Sequence, residues 1–396
     1  MPDYIASKQL ILQSLRKQIA VMFGVNGLLL GAGAGLLQQY WGWVPAASWF
    51  GIAGVLLSYE WFEANRLLAQ NRPPDKQNLL TDLGWGNRVT IIRGMLFAAA
   101  GGFLATPSPN DLWQWMAGLL YLLAVLSDRF DGYLARRSDH VTLMGGRLDM
   151  RLDALGILIA TLLGLRFNQL PIWYLLVGST FYLFTLGKWY RARKKKPVYP
   201  LLADPGRPML AGLQMGFLSI SLLPIFPPGV TKTAAIVFGI PLLVTFLRDW
   251  LIVSGRFPAI ENRFGRQFRA LQSYVRSGVL PFLRVVIVVC GLIVIAHRND
   301  QWMPGVLARI ANMGILVSEG ALIGGLLLMI GAIGVGVLTR SVSLLLMAVM
   351  AGMLSTAVPP LLPTLLLIAA GILLHAGPGH FAPVQWDESL LFRNRT

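Results

Sequence analysis

The sequence contains few charged residues and especially few acids. Of its 396 residues, 13% are charged, 18 are Asp or Glu, and 55% are hydrophobic. A typical soluble domain carries about 25% charged residues. The composition therefore excludes an ordinary soluble domain and predicts a protein that crosses a lipid bilayer several times.

Cysteine and histidine are also scarce. Cys290 is the one cysteine and lies in an apolar segment, so no intramolecular disulfide can form. The four histidines are scattered along the chain. His140 lies near acidic residues, but a histidine in a loop is more often solvated than bound to a metal, so we leave it out of the predicted site.

Apolar runs close to the length of a bilayer span recur along the chain. They predict an all-α polytopic membrane protein with a six-helix core, two N-terminal helices and about four C-terminal helices. The predicted transmembrane segments lie near 19–38, 46–63, 88–105, 113–127, 149–166, 171–187, 209–226, 233–253, 279–296, 315–338, 341–357 and 360–375.

Basic residues alternate with the predicted spans. Lys and Arg gather at 8–17, 66–93, 129–151, 188–207 and 248–284, whereas the intervening connections hold almost none. By the positive-inside rule, both termini lie on the cytoplasmic side of a cell inner or plasma membrane. The formal net charge of +16 is then explained by topology and by attraction to anionic lipids, and does not indicate nucleic-acid binding.

The scarce acids are concentrated in one motif, which reads D-x2-D-G-x2-A-R-x8-G-x3-D-x3-D. Its specified positions are Asp128, Asp131, Gly132, Ala135, Arg136, Gly145, Asp149 and Asp153. Four carboxylates at the edge of hydrophobic segments repel one another and are costly to desolvate unless a cation lies between them. The motif therefore predicts a metal site on the basic, cytoplasmic side.

The spacing of the four aspartates predicts their geometry. Asp128 and Asp131 are three residues apart, and Asp149 and Asp153 are four apart, so each pair lies on one face of a helix. The residues between the pairs are numerous enough to reverse the chain. Two facing helices would then present four carboxylates to one pocket. Oxygen ligands without nearby His or Cys favour Mg²⁺ or Mn²⁺ over zinc or copper.

The other motif positions suit a phosphate ester. Gly132, Ala135 and Gly145 are small, which allows a bulky phosphate ester or a neighbouring backbone to come close. Arg136 is placed to pair with phosphate oxygens.

The complete motif resembles that of the CDP-alcohol phosphotransferases, integral membrane enzymes that make phospholipids. The resemblance implies that Asp128, Asp131, Asp149 and Asp153 hold two divalent cations, Mg²⁺ or Mn²⁺, against the pyrophosphate of CDP-diacylglycerol. It also implies that Asp153 is the base for the incoming hydroxyl and that CMP is released. Gly132, Ala135, Arg136 and Gly145 would then contact the CDP group.

Two flanking segments are similar to the same family. GNRVTIIRGML gives Asn87, Thr90 and Arg93 at the start of the first core helix, where the family holds the nucleotide. ADPGRPMLAGLQM gives Arg207 at the start of the fifth core helix, where a basic residue meets the acceptor. A helix N-cap for Asn87 and a membrane-edge anchor for Arg207 are the alternatives.

The acceptor is predicted from basic residues. Arg207, Lys188, Arg191 and Arg193 suit an acceptor that carries phosphate, which favours glycerol 3-phosphate or inositol phosphate over serine or an aminoalcohol. This predicts a phosphatidylglycerophosphate synthase-like enzyme. Membrane anchoring explains the same basic residues and stays open as an alternative.

We predict four segments. Residues 1–80 form a two-helix membrane segment and linker, 81–256 the phosphotransferase core, 257–278 a basic interfacial stretch, and 279–396 a four-helix membrane module with a polar tail. EGALIGGLLLMIGAIGVGVLTR in the last segment looks like part of the DoxX-like membrane proteins. Glu319 at its start is either functional or an anchor at the headgroups. The expected partners are the two substrates, the bilayer and a second copy of the chain.

Two other classes of function agree less well with the sequence. A cation transporter needs acids at mid-membrane depth, whereas Arg129, Arg136 and Arg151 crowd the motif and place it at the surface. An inactive core that serves as a membrane scaffold is opposed by the intact motif. For Arg248 and Asp249, a structural ion pair to another helix and a substrate contact are equally open.

Overall fold

The computed structural model describes residues 2–106, 111–138, 140–201, 206–256, 274–296, 318–354, 361–377 and 379. Within these ranges, side chains are described except at 2–7, 111–114, 129–136, 206, 275–276, 348, 351–354 and 361. This part of the chain is almost entirely helical and contains no strand.

Twelve α-helices lie within the described ranges. They are α1 (Pro2–Trp41), α2 (Trp43–Leu67), α3 (Gly84–Gly102), α4 (Asp111–Arg137), α5 (Leu143–Arg166), α6 (Leu175–Arg193), α7 (Gly206–Leu222), α8 (Pro228–Val253), α9 (Leu280–Ala296), α10 (Glu319–Val335), α11 (Thr339–Leu354) and α12 (Leu361–Ala376). Short 3-10 turns occupy Leu68–Gln70 and Ile172–Tyr174, and a π-helical turn occupies Val275–Val279. Each predicted segment overlaps one of these helices, which confirms the all-α class.

Length and apolar composition identify membrane-crossing helices. The stretches Lys8–Trp41, Pro228–Val253 and Ser277–Ala296 are long and apolar enough to cross a bilayer. Large aliphatic side chains such as Leu28 and Leu328 are more than three-quarters exposed, as expected for surfaces that lipid covers. The chain is therefore an integral membrane protein. The number of crossings stays a prediction.

The first compact unit comprises Met1–Tyr182 and Gly212–Ile225. Its central helix is α3, which packs against α1, α2, α4 and α5. Most residues of α3 are buried, and its last turns read AAAGG, so neighbouring helices can approach its backbone closely. Polar side chains on α3 are consequently held in the interior of this unit.

The polar segment between α2 and α3, predicted as a linker, is tied to both neighbouring helices. Asn71 is fully buried, its amide donates to the Asp82 carbonyl at 2.9 Å, and its Oδ1 accepts from Asn87 at 3.2 Å. The Leu143 N–H donates to the Arg72 carbonyl at 3.0 Å. These bonds fix α2 relative to the first turns of α3 and α5.

The second compact unit comprises Leu183–Ala211 and Phe226–Thr396. Its helices α9, α10, α11 and α12 form a ring in which each packs against two neighbours, and α12 also packs against α8. Gly371 of α12 lies so close to Val237 of α8 that an added Cβ would overlap that side chain. The His375 ring lies 5.6 Å from the Phe238 ring.

Two buried arginines donate hydrogen bonds to carbonyl groups near helix ends in this unit. Arg284 on α9 donates to the carbonyl of Ile333 at 3.0 Å, near the end of α10. Arg340 on α11 donates to the carbonyl of Leu374 at 3.1 Å, near the end of α12. Because the last carbonyls of a helix lack partners within it, these bonds stabilise the two ends and compensate the buried charges.

The compact units are a different division from the four predicted segments, and the predicted segments stay a prediction. Of the basic interfacial stretch 257–278, residues 257–273 lie outside the described residues. The DoxX-like resemblance of 279–375 also stays a prediction.

Candidate active site

Helices α4 and α5 bring three of the motif carboxylates together. Oxygen atoms of Asp128, Asp149 and Asp153 all lie within 4.8 Å of one another. Asp131 lies one turn beyond Asp128 on α4, but its side chain is outside the described part of the chain. The three described aspartates of α4 and α5 thus point toward one another. We refer to Asp128, Asp149 and Asp153 as the Asp cluster.

Arg93 of α3 lies among these carboxylates. Its side chain is fully buried, contacts Asp128 and Asp149, and has Nη2 3.1 Å from Asp153 Oδ1. The family resemblance assigns Arg93 to the nucleotide, whereas in the structure its guanidinium contacts the acids. The cation that four crowded carboxylates require is therefore supplied, in part, by the protein itself.

The first turn of α5 is built around Asn87 and Gly145. Thr142 is the N-cap, and its Oγ1 accepts from the Gly145 N–H at 3.0 Å. The Asn87 amide lies 3.2 Å from the same Oγ1 and 2.7 Å from the Leu83 carbonyl. A Cβ at Gly145 would overlap Asn87 Oδ1, so Gly145 permits the close approach of α3 and α5.

The remaining predicted nucleotide residues are placed as follows. Leu83 is the N-cap of α3, so the N-cap alternative for Asn87 is wrong, because Asn87 is buried inside the first turn. Thr90 is buried and donates to the Gly86 carbonyl of its own helix at 3.1 Å. Gly132, Ala135 and Arg136 lie on α4, and their side chains are outside the described part. Nucleotide binding by these positions stays a prediction.

Helix α2 contributes two buried acids that motif reasoning missed. The Glu60 side chain is 1% exposed and lies against Gly94, where an added Cβ would overlap Glu60 Oε2. Glu63 is also buried and forms an ion pair with Arg151, which lies between the two α5 aspartates in sequence. The signal available in the sequence was the presence of two acids in a predicted span of an acid-poor chain.

Asp82 lies just before α3 and anchors its first turn. Partial burial raises the pKa of its carboxyl, but the Gly84 N–H at 2.9 Å and the Arg88 guanidinium at 2.7 Å outweigh that effect and lower the pKa overall. His140 packs here, with Nε2 3.0 Å from the Asp82 carbonyl. His140 therefore belongs to this turn, in agreement with its omission from the predicted metal site.

In the second unit, Asp249 holds two arginines. Arg207 Nε lies 2.6 Å from Asp249 Oδ2, and Arg248 Nη2 lies 2.9 Å from Oδ1. Asp249 is 5% exposed, whereas about a third of each arginine side chain is exposed. Of the two alternatives for Asp249, the structure therefore shows an ion pair to another helix.

The other predicted acceptor residues contact aromatic rings and backbone. Lys188 Nζ lies 5.3 Å from the Phe184 ring, and the Arg193 guanidinium lies 4.8 Å from the Trp189 ring. Arg191 donates to the Pro197 carbonyl at 2.8 Å and to the Ser254 carbonyl at 3.0 Å. Such contacts are typical of basic residues at a membrane edge. Acceptor binding by Lys188 and Arg191 stays a prediction.

The donor atoms of the Asp cluster fit a hard divalent cation. Two oxygens bound to one Mg²⁺ at about 2.1 Å are at most about 4.2 Å apart, and the cluster oxygens lie within 4.8 Å. Between 25% and 39% of each carboxylate side chain is exposed, so the cluster can be reached from outside. A small adjustment would let these residues hold Mg²⁺ or Mn²⁺.

The described residues thus combine membrane-crossing helices with a carboxylate cluster that fits a divalent cation. The family model for CDP-alcohol phosphatidyltransferase matches residues 85–247. This segment contains the whole aspartate motif and Arg207, and it leaves out α1, α2 and α9–α12. Residues 85–247 are therefore similar to the CDP-alcohol phosphatidyltransferases, a membrane family that depends on divalent cations. Comparisons with curated proteins and with solved structures gave no match.

The match supports a reaction class. The matched family consists of transferases of phospholipid biosynthesis that move a phosphatidyl group from a CDP-alcohol to an alcohol acceptor in a membrane.

Proposed function

We propose that the protein transfers the phosphatidyl group of CDP-diacylglycerol to glycerol 3-phosphate and releases CMP. The observation that carries this proposal is the Asp cluster on α4 and α5, whose oxygens lie within 4.8 Å inside the family-matched segment. Asp131, one turn from Asp128, is the proposed fourth ligand. When bound, two divalent cations would neutralise the pyrophosphate and the charge that develops on the leaving group.

Asp153 is the proposed proton acceptor. As the acceptor hydroxyl loses its proton to Asp153, its oxygen forms a bond to the phosphorus that carries the diacylglycerol. The bond from that phosphorus to the bridging oxygen of the pyrophosphate breaks, and CMP leaves with the electron pair. Arg136 and the small residues Gly132, Ala135 and Gly145 are proposed to border the CDP group.

The preference for a phosphorylated acceptor rests on Arg207. Its guanidinium is oriented by Asp249, with Arg248 on the same carboxylate, and about a third of its side chain is exposed. Two guanidiniums oriented by one carboxylate form a preorganised group of hydrogen-bond donors, which suits a phosphate monoester. Inositol phosphate shares that phosphate and is the second candidate acceptor.

An acceptor panel tests this preference. Purified protein in detergent, with CDP-diacylglycerol and Mg²⁺, should release CMP faster with glycerol 3-phosphate than with inositol phosphate, serine, inositol or glycerol. Glycerol is the matched control, because it lacks only the phosphate. In Arg207→Gln the KM for glycerol 3-phosphate should rise at least roughly tenfold, since one charge-assisted bond is worth about 1.5–3 kcal/mol. A panel in which serine is the best acceptor would contradict the phosphate preference.

The same panel separates the other classes of function. A cation transporter or an inactive scaffold would release no CMP above background with any acceptor, whether or not a divalent cation is present. Cation-dependent release with at least one acceptor requires an active transferase.

We further propose that the active site and both termini are cytoplasmic, because basic residues gather on the connections of that side. The exposed loop residue Asp75 offers a test. We consider the double variant Cys290→Ser, Asp75→Cys. Its single thiol should react with a membrane-impermeant thiol reagent only after cells are opened. Labelling in intact cells would reverse the orientation.

A further inference from the structure

Glu60 is a buried acid that the reaction described above does not use. It lies on α2, outside the family-matched residues, and its side chain is 1% exposed. Neither carboxylate oxygen has a hydrogen-bond partner among the described residues. A fully buried carboxylate in this condition is costly unless a charged group compensates it. Its carboxylate lies against Gly94, the residue that follows Arg93 on α3.

The Arg93 guanidinium occupies the position where divalent cations would bind. Its guanidinium contacts the same Asp oxygens that fit a divalent cation. One arginine and two divalent cations on these carboxylates would repel one another strongly in a buried site. The arginine must therefore withdraw from the Asp cluster when metal enters, and a buried guanidinium requires another anion.

We infer that Glu60 is that anion: it receives the Arg93 guanidinium when the Asp cluster binds a divalent cation, and so sets the affinity of the cluster for metal. Gly94, the residue after Arg93, leaves room for the Glu60 carboxylate beside α3. Glu60 is thus a positioning residue that acts through Arg93. The inference rests on the proposed metal centre.

Binding of Mn²⁺ alone tests this role without relying on turnover. Free Mn²⁺ is measured by electron paramagnetic resonance during titration of the full-length protein in detergent. We expect Glu60→Gln to raise the Mn²⁺ dissociation constant by about tenfold, within the usual range for coupling between charged neighbours. Glu60→Asp keeps the charge in a shorter side chain and should retain most of the affinity.

The pair of substitutions separates charge from packing. Gln matches Glu in size and lacks its charge, whereas Asp has the charge and lacks one methylene. If affinity follows size, so that Gln binds Mn²⁺ like wild type and Asp does not, the inference is overturned. Thermal unfolding without metal should show Glu60→Gln to be as stable as wild type or more stable, since it replaces a buried carboxylate whose oxygens have no hydrogen-bond partner among the described residues.

A double-mutant cycle with Arg93 tests whether Glu60 affects Mn²⁺ binding through Arg93. In an Arg93→Gln background, Glu60→Gln should no longer change Mn²⁺ affinity, because the guanidinium that it receives is absent. Glu63→Gln is the matched control, one helical turn away and paired with Arg151, and its effect should be the same in both backgrounds. Equal effects of Glu60→Gln in both backgrounds would overturn the inference.

The outcomes distinguish this inference from the metal centre on which it rests. If the wild-type protein binds no Mn²⁺, both the metal centre and the role of Glu60 fail. If it binds Mn²⁺, and Asp153→Asn weakens that binding while Glu60→Gln does not, the metal centre stands and the role of Glu60 is refuted. Should Arg93→Gln fail to fold, the Gln and Asp comparison at Glu60 still decides.

Discussion

Replacing Asp153 with Asn should abolish transfer without unfolding the protein. In the metal-free Asp cluster, the change removes repulsion with two neighbours within 4.8 Å and attraction to Arg93 at 3.1 Å. At an effective dielectric of about 20, each repulsion is at least about 3.5 kcal/mol and the attraction about 5.4 kcal/mol. Partial exposure of the aspartates reduces all three through solvent screening. The opposing effects nearly cancel, so we expect the free energy of unfolding to change by about 1–2 kcal/mol or less.

The effect of the same substitution on catalysis should be far larger. Asn cannot take the proton of the acceptor hydroxyl, and loss of a general base typically costs about 10²–10⁴-fold in rate. It is also a weaker ligand for a hard cation than a carboxylate. We therefore expect CMP release at saturating Mg²⁺ to fall by at least about 10³-fold.

The assay compares initial rates per folded molecule, with folding checked by monodispersity in detergent and by helical circular dichroism. Asp75→Asn, an exposed loop position outside the Asp cluster, is the matched control and should keep wild-type activity. Wild-type turnover in Asp153→Asn would refute the assignment of the site. A loss of activity that accompanies unfolding would refute the calculated balance of charges.

Two further outcomes follow from contacts outside the Asp cluster. A truncation after Ser277 should keep Mg²⁺-dependent CMP release but unfold at a lower temperature, because α12 packs against α8 at Gly371; a well-folded, inactive truncation would assign α9–α12 a role in catalysis. The lowered pKa of Asp82 stabilises the fold above the unfolded pKa of about 3.9 and ceases to do so as pH falls through the folded value. Asp82→Asn should thus lower stability by about 1 kcal/mol or less at pH 7. In thermal melts, this loss should shrink as the pH falls below about 3.9. A loss that stays constant with falling pH would contradict this ion pair.

Local sequence patterns predicted much of this structure, because they depend on neighbours in the chain. Apolar runs marked the twelve helices, and spacings of three and four residues put the acids on single faces of α4 and α5. The ring of α9–α12 and its packing on α8 could not be predicted in the same way. Periodicity identifies an apolar face of a helix but does not identify the helix that covers it.

The charge partners were the least predictable part of the site. Arg93 is 35 residues from Asp128 and 56 from Asp149, and Arg207 is 42 residues from Asp249. Each of these arginines was predicted to contact a substrate, but in the structure each contacts an aspartate. The sequence alone does not show that this aspartate lies beside it. An arginine in a motif can bind an anionic substrate or an anionic side chain, and the same chemistry suits both.

The two acids of α2 connect these observations. Glu60 lies against Gly94, next to Arg93 in the sequence, and Glu63 pairs with Arg151, so a helix outside the family-matched segment places two buried acids beside α3 and α5. Removing one partner of a buried pair commonly costs about 3–5 kcal/mol, since the remaining charge is left in a medium that cannot solvate it. The N-terminal helices and the C-terminal module therefore contribute to stability through different interactions. Loss of α9–α12 uncovers an apolar face, whereas loss of α2 would leave Arg151 without its Glu63 partner.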